Sequence, residues 1–344
     1  MRAMILRALG DLDRNPEPLE MAELAAPEPG EGEVRIRVAV CGVCHTELDE
    51  IEGRMPPPRL PVVPGHQAVG RVEALGPGAA GLREGDRVGV AWIGWACGVC
   101  KACRAGDENL CPFFRATGRD VDGGYAERMI VPAPFAHPIP EAFTDVEAAP
   151  LLCAGAIGYR SLKLAELEDG EALGLTGFGA SAHLVLQMAR HRYPGSEVYI
   201  FARNEGERAF ARELGAVWAG ESGEAPPAKL AAVIDTTPAW QPVVDALRNL
   251  EPRGRLVINA IRKEERDKSA LLGLDYPRDL WLEKEVKSVA NVTRGDVREF
   301  LALAAEIPIH PEVEELPLAE ANRALRELKT HGIRGAKVLR IAPS

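Results

Sequence analysis

The sequence predicts an α/β protein in two parts, a β-rich domain and a doubly wound parallel sheet. Three observations carry that expectation. The first 150 residues read as strands and loops, with period-two alternation at 33–40 and recurrent Pro and Gly. From about residue 170, strand-like and helix-like runs alternate. The chain has 344 residues, against roughly 100–200 for one domain.

The elements follow in order. Val34, Ile36, Val38 and Val40 alternate with Glu33, Arg35, Arg37 and Ala39, the period of a half-buried strand. Ala68–Leu75 and 87–92 are short β-rich runs, and the Pro/Gly clusters at 55–64 and 76–85 are connecting loops. Thr144 with Glu147 forms a capping box that starts a helix toward Lys163, and Pro150 is close enough to its start to be tolerated or to divide it. Strands are then expected at 172–176, 198–202, 231–236, 255–260 and 286–292, with helices at 182–192, 206–214 and 242–250 between them. The tail, helical at 294–306 and 319–330 and extended at 338–341, has no clear core of its own and is free to return to the first domain.

Apolar residues make up 46% and charged residues 27%, an ordinary globular balance that excludes a disordered or fibrous chain. The net charge of −10 argues against general nucleic-acid or anionic-membrane binding, while leaving room for a local basic pocket. No apolar run approaches the ~18 residues of a membrane span. The first residues read as no signal peptide. The expectation is a cytoplasmic protein with no nucleic-acid and no membrane partner.

Seven cysteines are present, and an intracellular chain of this length needs no disulfides. Cys97, Cys100, Cys103 and Cys111 have the spacing C-x2-C-x2-C-x7-C. Four close thiolates suit a tetrahedral zinc ion and leave it no open position, so the zinc would be structural. An iron–sulfur cluster also takes four cysteines and competes with that reading. Unliganded or disulfide-linked thiols are the plainer alternative. Elsewhere stand Cys44, His66 and Cys153. Two thiolates and one imidazole would leave zinc a fourth position for water or substrate, the catalytic arrangement. Spacing alone reads more plainly: a histidine after a Pro-Gly turn as a loop residue, and a cysteine on an apolar helix as core.

Gly177-Phe178-Gly179-Ala180-Ser181-Ala182 lies between a strand and a helix and is a G-x-G-x-x-A dinucleotide fingerprint. Gly177, Gly179, Ala180 and Ser181 would cradle a pyrophosphate at the helix N-terminus, which makes the second domain Rossmann-type. The next strand ends in Ala202-Arg203-Asn204. An acidic residue there would bind ribose hydroxyls, whereas a small residue followed by Arg suits a 2′-phosphate. NADP(H) is therefore the expected cofactor, with NAD(H) as the alternative.

Jointly, Cys41-Gly42-Val43-Cys44-His45-Thr46-Glu47, Pro64-Gly65-His66, the four-cysteine loop, Gly123-Gly124-Tyr125-Ala126-Glu127 and Leu152-Cys153-Ala154-Gly155 resemble the zinc-dependent alcohol dehydrogenases of the medium-chain dehydrogenase/reductase family. The resemblance runs in order over nearly the whole chain. It implies a GroES-like catalytic domain at 1–154 and 293–344 and a cofactor domain at 155–292. It implies interconversion of alcohols with aldehydes or ketones by hydride transfer, and two zinc ions per chain. By the same resemblance Cys44, His66 and Cys153 match the catalytic zinc ligands, and Cys41 a position that binds no metal. Thr46 matches the hydroxyl that passes the alcohol proton outward, and His45 a position that meets the cofactor pyrophosphate. Trp92 falls where an aromatic lines the substrate pocket, a wall that favours small primary alcohols. Relatives are dimers or tetramers, so a homodimer or homotetramer is expected. Arg334 and Lys337 are two candidates for a cation near the cofactor phosphate that counting does not separate.

Three residues depart from the family pattern: Glu47 for Asp beside the ligand histidine, Gln67 for Glu near the zinc, and Asp49 for a relay histidine. They keep two other readings open. One is a reductase of activated carbon–carbon double bonds, which needs no catalytic zinc. The other is a non-catalytic zinc- and nucleotide-binding protein.

Overall fold

The computed structural model describes residues 1–307, 309–330 and 335–341. The chain divides into two compact units. One comprises Met1–Cys153, Val292–Ala305 and His310–Ser344, the other Ala154–Asn291 and Glu306–Ile309.

The first unit is built around the strand Glu33–Val43, which pairs antiparallel with Ala68–Leu75, Arg128–Pro132 and Ala336–Arg340. Val34, Ile36, Val38 and Val40 are at most 1% exposed, so the alternation read from the sequence puts these four in the core. The C-terminal strand does return here, with Lys337 opposite Val43. The run expected at 87–92 stops at Val90. The chain leaves that sheet there, and Ile93–Trp95 pairs instead with Arg115–Ala116. Thr144 caps the helix Asp145–Pro150: its hydroxyl accepts from the Glu147 amide at 3.2 Å, and the Glu147 carboxylate accepts from the Thr144 amide at 2.8 Å. Pro150 has no N–H for the helical ladder. Past it the chain widens into a π turn at Leu151–Gly155 before the helix Ala156–Ala165 resumes. Such turns often mark functional sites, and Cys153 sits on this one.

His137, 1% exposed on the strand Ala136–Pro138, has an Nε2 with no hydrogen-bond partner among the described residues. Burial first, then the nearby Arg298 and Arg294, hold its pKa down to about 3. A depressed folded value means that this group contributes stability above its unfolded pKa of about 6.5 and loses it as pH falls. The unfolding free energy should therefore drop with acid at up to ~1.4 kcal/mol per pH unit between about pH 6.5 and the folded value of about 3. His137→Phe should remove that component, which a pH series of unfolding curves will read.

The second unit is a six-stranded parallel sheet. Its strands are β1 (Leu173–Thr176), β2 (Val198–Phe201), β3 (Trp218–Gly220), β4 (Leu230–Asp235), β5 (Leu250–Ile258) and β6 (Glu285–Ser288). They lie in the order 3-2-1-4-5-6, the doubly wound order. Ala182–Arg192, Glu205–Glu213 and Gln241–Asn249 are its crossover helices. Every residue of β1 and β2 is buried, as expected of strands covered on both faces. Tyr199, Phe201, Leu230, Val233, Leu247 and Leu256 anchor one of the cores. Each fully buried apolar side chain contributes ~1.5–3 kcal/mol. β3 has no counterpart in the sequence reading, because three residues carry no periodicity. All four residues of the edge strand β6 are exposed. Among the described residues no helix is long and apolar enough to cross a membrane.

Candidate metal centres and dinucleotide loop

The strand Glu33–Val43 delivers Cys44 to the start of the short helix His45–Ile51. The Pro64-Gly65 turn delivers His66. Gly65 has φ +99°, and a Cβ there would lie 2.4 Å from the Tyr125 ring, so only glycine lets the turn pass. The π turn delivers Cys153. The three donor atoms lie within 4.8 Å of one another. Cys44 Sγ is 3.8 Å from Cys153 Sγ, and His66 Nε2 is 3.3 Å from Cys153 Sγ.

Glu47 holds two of these ligands. Its Oε2 accepts from the Cys44 amide at 2.8 Å, and its Oε1 lies 2.6 Å from His66 Nδ1. That bond leaves Nε2 to face the thiols. The extra methylene relative to Asp therefore does not break the contact with His66. Burial pulls the His66 pKa down, but the Glu47 carboxylate and Cys44 outweigh it and raise the pKa well above its usual value. A hydrogen bond from Cys153 opposes burial and holds the Cys44 thiol low. Replacing Glu47 by Gln or Ala should weaken zinc retention at this site ~10–100-fold. Competition with a chromophoric chelator measures it, and unchanged affinity would refute the bridging role.

The other two departures are also placed. Asp49, 5% exposed, accepts from Arg54 Nε at 2.5 Å. Gln67 is buried, and its backbone carbonyl accepts from the Gly42 amide at 3.0 Å. Thr46 is 8% exposed with its hydroxyl 3.6 Å from Cys44 Sγ. His45 is exposed. Cys41 is buried and outside the donor set.

Glu50 was not singled out from the sequence. It lies one helical turn beyond Thr46, so the two share a face. It is 2% exposed, and burial followed by the Glu47 charge raises its pKa well above the usual value. Its Oε1 accepts from Trp92 Nε1 at 3.4 Å, and the Trp92 ring tilts against Phe114 at 5.4 Å. The spacing to Thr46 was the one available signal.

The sulfurs of Cys97, Cys100, Cys103 and Cys111 also lie within 4.8 Å of one another. Backbone amides of Cys97 and Phe113 donate to Cys111 Sγ at 3.4 Å, and that of Cys103 to Cys100 Sγ at 3.5 Å. The Val99 amide is the main cause that holds the Cys97 thiol down to about 6. Tetrahedral bonds of ~2.3 Å put neighbouring sulfurs about 3.8 Å apart. The Cys97–Cys103 pair stands at 3.9 Å and the Cys44–Cys153 pair at 3.8 Å, so both donor sets fit zinc. All seven cysteines are free thiols. A cage this tight suits a single ion rather than a multi-iron cluster.

In the second unit β1 ends at Thr176, and Gly177 turns with φ +77°. Gly179 and Ala180 are exposed ahead of the helix Ala182–Arg192, whose first amides have no intrahelical acceptor. The Ser181 hydroxyl donates to Ala154 O at 3.0 Å, so its backbone is what remains for a ligand. Beyond β2, Ala202 is buried, and Asn204 caps the next helix by accepting from the Glu207 amide at 2.7 Å. Arg203 is exposed and has no carboxylate partner among the described residues. Lys337 is 3% exposed and pairs with Glu314 and Glu327, so its charge is already committed. Arg334 lies outside the described residues.

A zinc-fitting thiolate–imidazole set and a doubly wound dinucleotide-binding unit in one chain define a metal-dependent nicotinamide oxidoreductase. Residues 30–141 match the alcohol dehydrogenase GroES-like domain. The chain is 43% identical to the probable alcohol dehydrogenase AdhA of Mycobacterium tuberculosis, over 99% of this chain and 97% of that protein. It is 33% identical to an alcohol dehydrogenase of Geobacillus stearothermophilus, over 94% of this chain and 96% of that protein. A cobalt- and zinc-bound thermostable alcohol dehydrogenase from Pyrobaculum aerophilum superposes with a TM-score of 0.86 at 28% identity, covering 99% of each chain. The chain belongs to the zinc-type alcohol dehydrogenases of the medium-chain dehydrogenase/reductase family, which work with zinc and a nicotinamide cofactor.

Proposed function

We propose that this protein interconverts small primary alcohols and their aldehydes, with NADP(H) preferred over NAD(H). The observation that carries the reading is the convergence of Cys44, His66 and Cys153 with Glu47 bridging two of them. In this reading they hold the catalytic zinc, and Cys97, Cys100, Cys103 and Cys111 hold a second, structural zinc. The catalytic ion supplies Lewis-acid polarisation of the substrate oxygen. Glu47 orients the imidazole and anchors the Cys44 backbone. Thr46 Oγ1 both accepts and donates, so it takes the alcohol proton and passes it on. Asp49 is paired with Arg54, so the proton leaves by another group than the carboxylate in the relay position. Trp92, braced by Glu50, forms a bulky wall that excludes branched substrates.

At the cofactor, Gly177, Gly179, Ala180 and Ser181 would meet the pyrophosphate. Ala202, Arg203 and Asn204 would surround the 2′-phosphate, and the exposed Arg203 guanidinium, without a carboxylate partner among the described residues, supports that preference. The exposed edge strand β6, with Tyr276, Trp281 and Leu282 each more than half exposed near it in sequence, supports a homodimer or homotetramer. The location is cytoplasmic.

A carbon–carbon double-bond reductase would leave the three-ligand set without a role. A decayed site would not keep Glu47 on both ligands. Zinc analysis together with rates across an alcohol–aldehyde series, using both cofactors, tests the proposal. Two zinc ions per chain and faster NADPH-linked turnover of short linear substrates are expected. One zinc ion with no turnover of any member would sink it.

A further inference from the structure

The second unit buries a charge pair that none of the steps above uses. Lys263 and Asp235 have side chains 7% and 0% exposed and form an ion pair. An ammonium has three donors. Lys263 directs them to the Asp235 carboxylate, to Thr237 O at 2.8 Å and to Ala239 O at 2.9 Å. The other Asp235 oxygen accepts from the Thr176 hydroxyl at 2.5 Å, the Thr237 hydroxyl at 2.8 Å and the Thr237 amide at 3.2 Å. One carboxylate thus ties the last residue of β1 to the segment after β4. Lys263, in the loop after β5, closes the arrangement.

This cluster lies at the carboxyl edge of the sheet, where open α/β sheets bind their ligands. Thr176 is followed directly by Gly177. A Cβ on Gly177 would stand 2.8 Å from Thr236 Oγ1 and 3.1 Å from Thr237 Cγ2, so the glycine turn rests on those two threonines. Thr236 Oγ1 also donates to Thr176 O at 2.8 Å. The dinucleotide loop therefore has a polar floor, and Lys263 fastens it. Stability alone does not explain the pair, because a packed apolar pair of similar volume is commonly as stable or more so. A geometric role does explain it, since six directed bonds fix where Thr176 and Thr237 sit.

We propose that Lys263 is a positioning residue for cofactor binding: through Asp235 and Thr237 it presets the Gly177 turn to receive the dinucleotide pyrophosphate. This rests on the reading of the second unit as a nicotinamide-dinucleotide site. The pyrophosphate is common to both cofactors, so Lys263 acts on NADPH and NADH alike. Arg203 acts on the 2′-phosphate alone.

The test is direct titration of NADPH and NADH into the zinc-loaded full chain, read by nicotinamide fluorescence. Lys263→Met should raise both Kd values about tenfold and by equal factors, with zinc content and alcohol KM unchanged. Lys263→Arg should recover part of the affinity. Thr237→Val, which removes one hydroxyl, should raise both values by less. Asp235→Leu with Lys263→Met leaves no orphan charge, so it should recover Tm without recovering affinity. Wild-type Kd values in Lys263→Met would overturn the proposal. So would affinity that returns in step with Tm in the double variant, the mark of a purely structural pair. If Lys263→Met does not fold, Thr237→Val and the double variant decide, and wild-type affinity in both refutes it. A wild-type chain that binds neither nucleotide removes the dinucleotide reading itself, a result distinct from a variant that binds as well as wild type.

Discussion

Cys153→Ser is expected to leave a folded protein with one zinc ion per chain, against the two of the proposed function, and almost no turnover. Serine keeps the size of the side chain but is a poor zinc ligand, and Cys44 with His66 makes only half a tetrahedral set. The lost polarisation is worth several kcal/mol, which converts to a fall in kcat of roughly 10³–10⁵-fold. The four-cysteine cage is untouched, so Tm should move little. Elemental analysis, stopped-time assays and a thermal scan on one preparation check all three statements. Full activity with a single zinc ion would mean that Cys44, His66 and Cys153 are core residues that happen to converge.

Arg203→Glu is expected to reverse the proposed preference for NADP(H). A charge-assisted hydrogen bond from guanidinium to phosphate is worth ~1.5–3 kcal/mol, so kcat/KM with NADPH should fall roughly 10–100-fold. The introduced carboxylate repels a 2′-phosphate and accepts from ribose hydroxyls, so kcat/KM with NADH should hold or rise. The residue is exposed and caps no helix, so stability should stay within ~0.5 kcal/mol. Parallel loss with both cofactors would place the effect in the loop, not at the phosphate.

The two results come from features with different visibility in the sequence. Arg203 follows a strand of four buried residues, and its place relative to the glycine loop is a matter of counting along one βαβ unit. The four-cysteine cage was equally legible, because its thiols all fall within 15 residues of chain. The Thr144–Glu147 cap and the alternation from Val34 to Val40 are local for the same reason. Glu47 is different. Its contact with His66 spans 19 residues of sequence, and whether a Glu reaches where an Asp usually stands depends on the angle at which the helix His45–Ile51 leaves its strand. Asp49 gave no hint of Arg54, nor Lys337 of Glu314 and Glu327. The Lys263–Asp235 pair joins a loop to the end of β4 across 28 residues of sequence and matches no motif at all.

By itself the sequence determined which donor atoms are available, that strands and helices alternate in the second unit, and that a glycine turn follows β1. These are matters of residue chemistry and short-range backbone geometry, and they act within a few residues. Only the tertiary structure decided that an imidazole meets a thiol 87 residues away, that one carboxylate meets both the Cys44 amide and His66, and that a buried lysine pairs with Asp235 behind the glycine turn. Such contacts depend on how strands register and helices pack across the whole chain. A difference of an ångström or two in that packing separates a ligand set from three unrelated core residues.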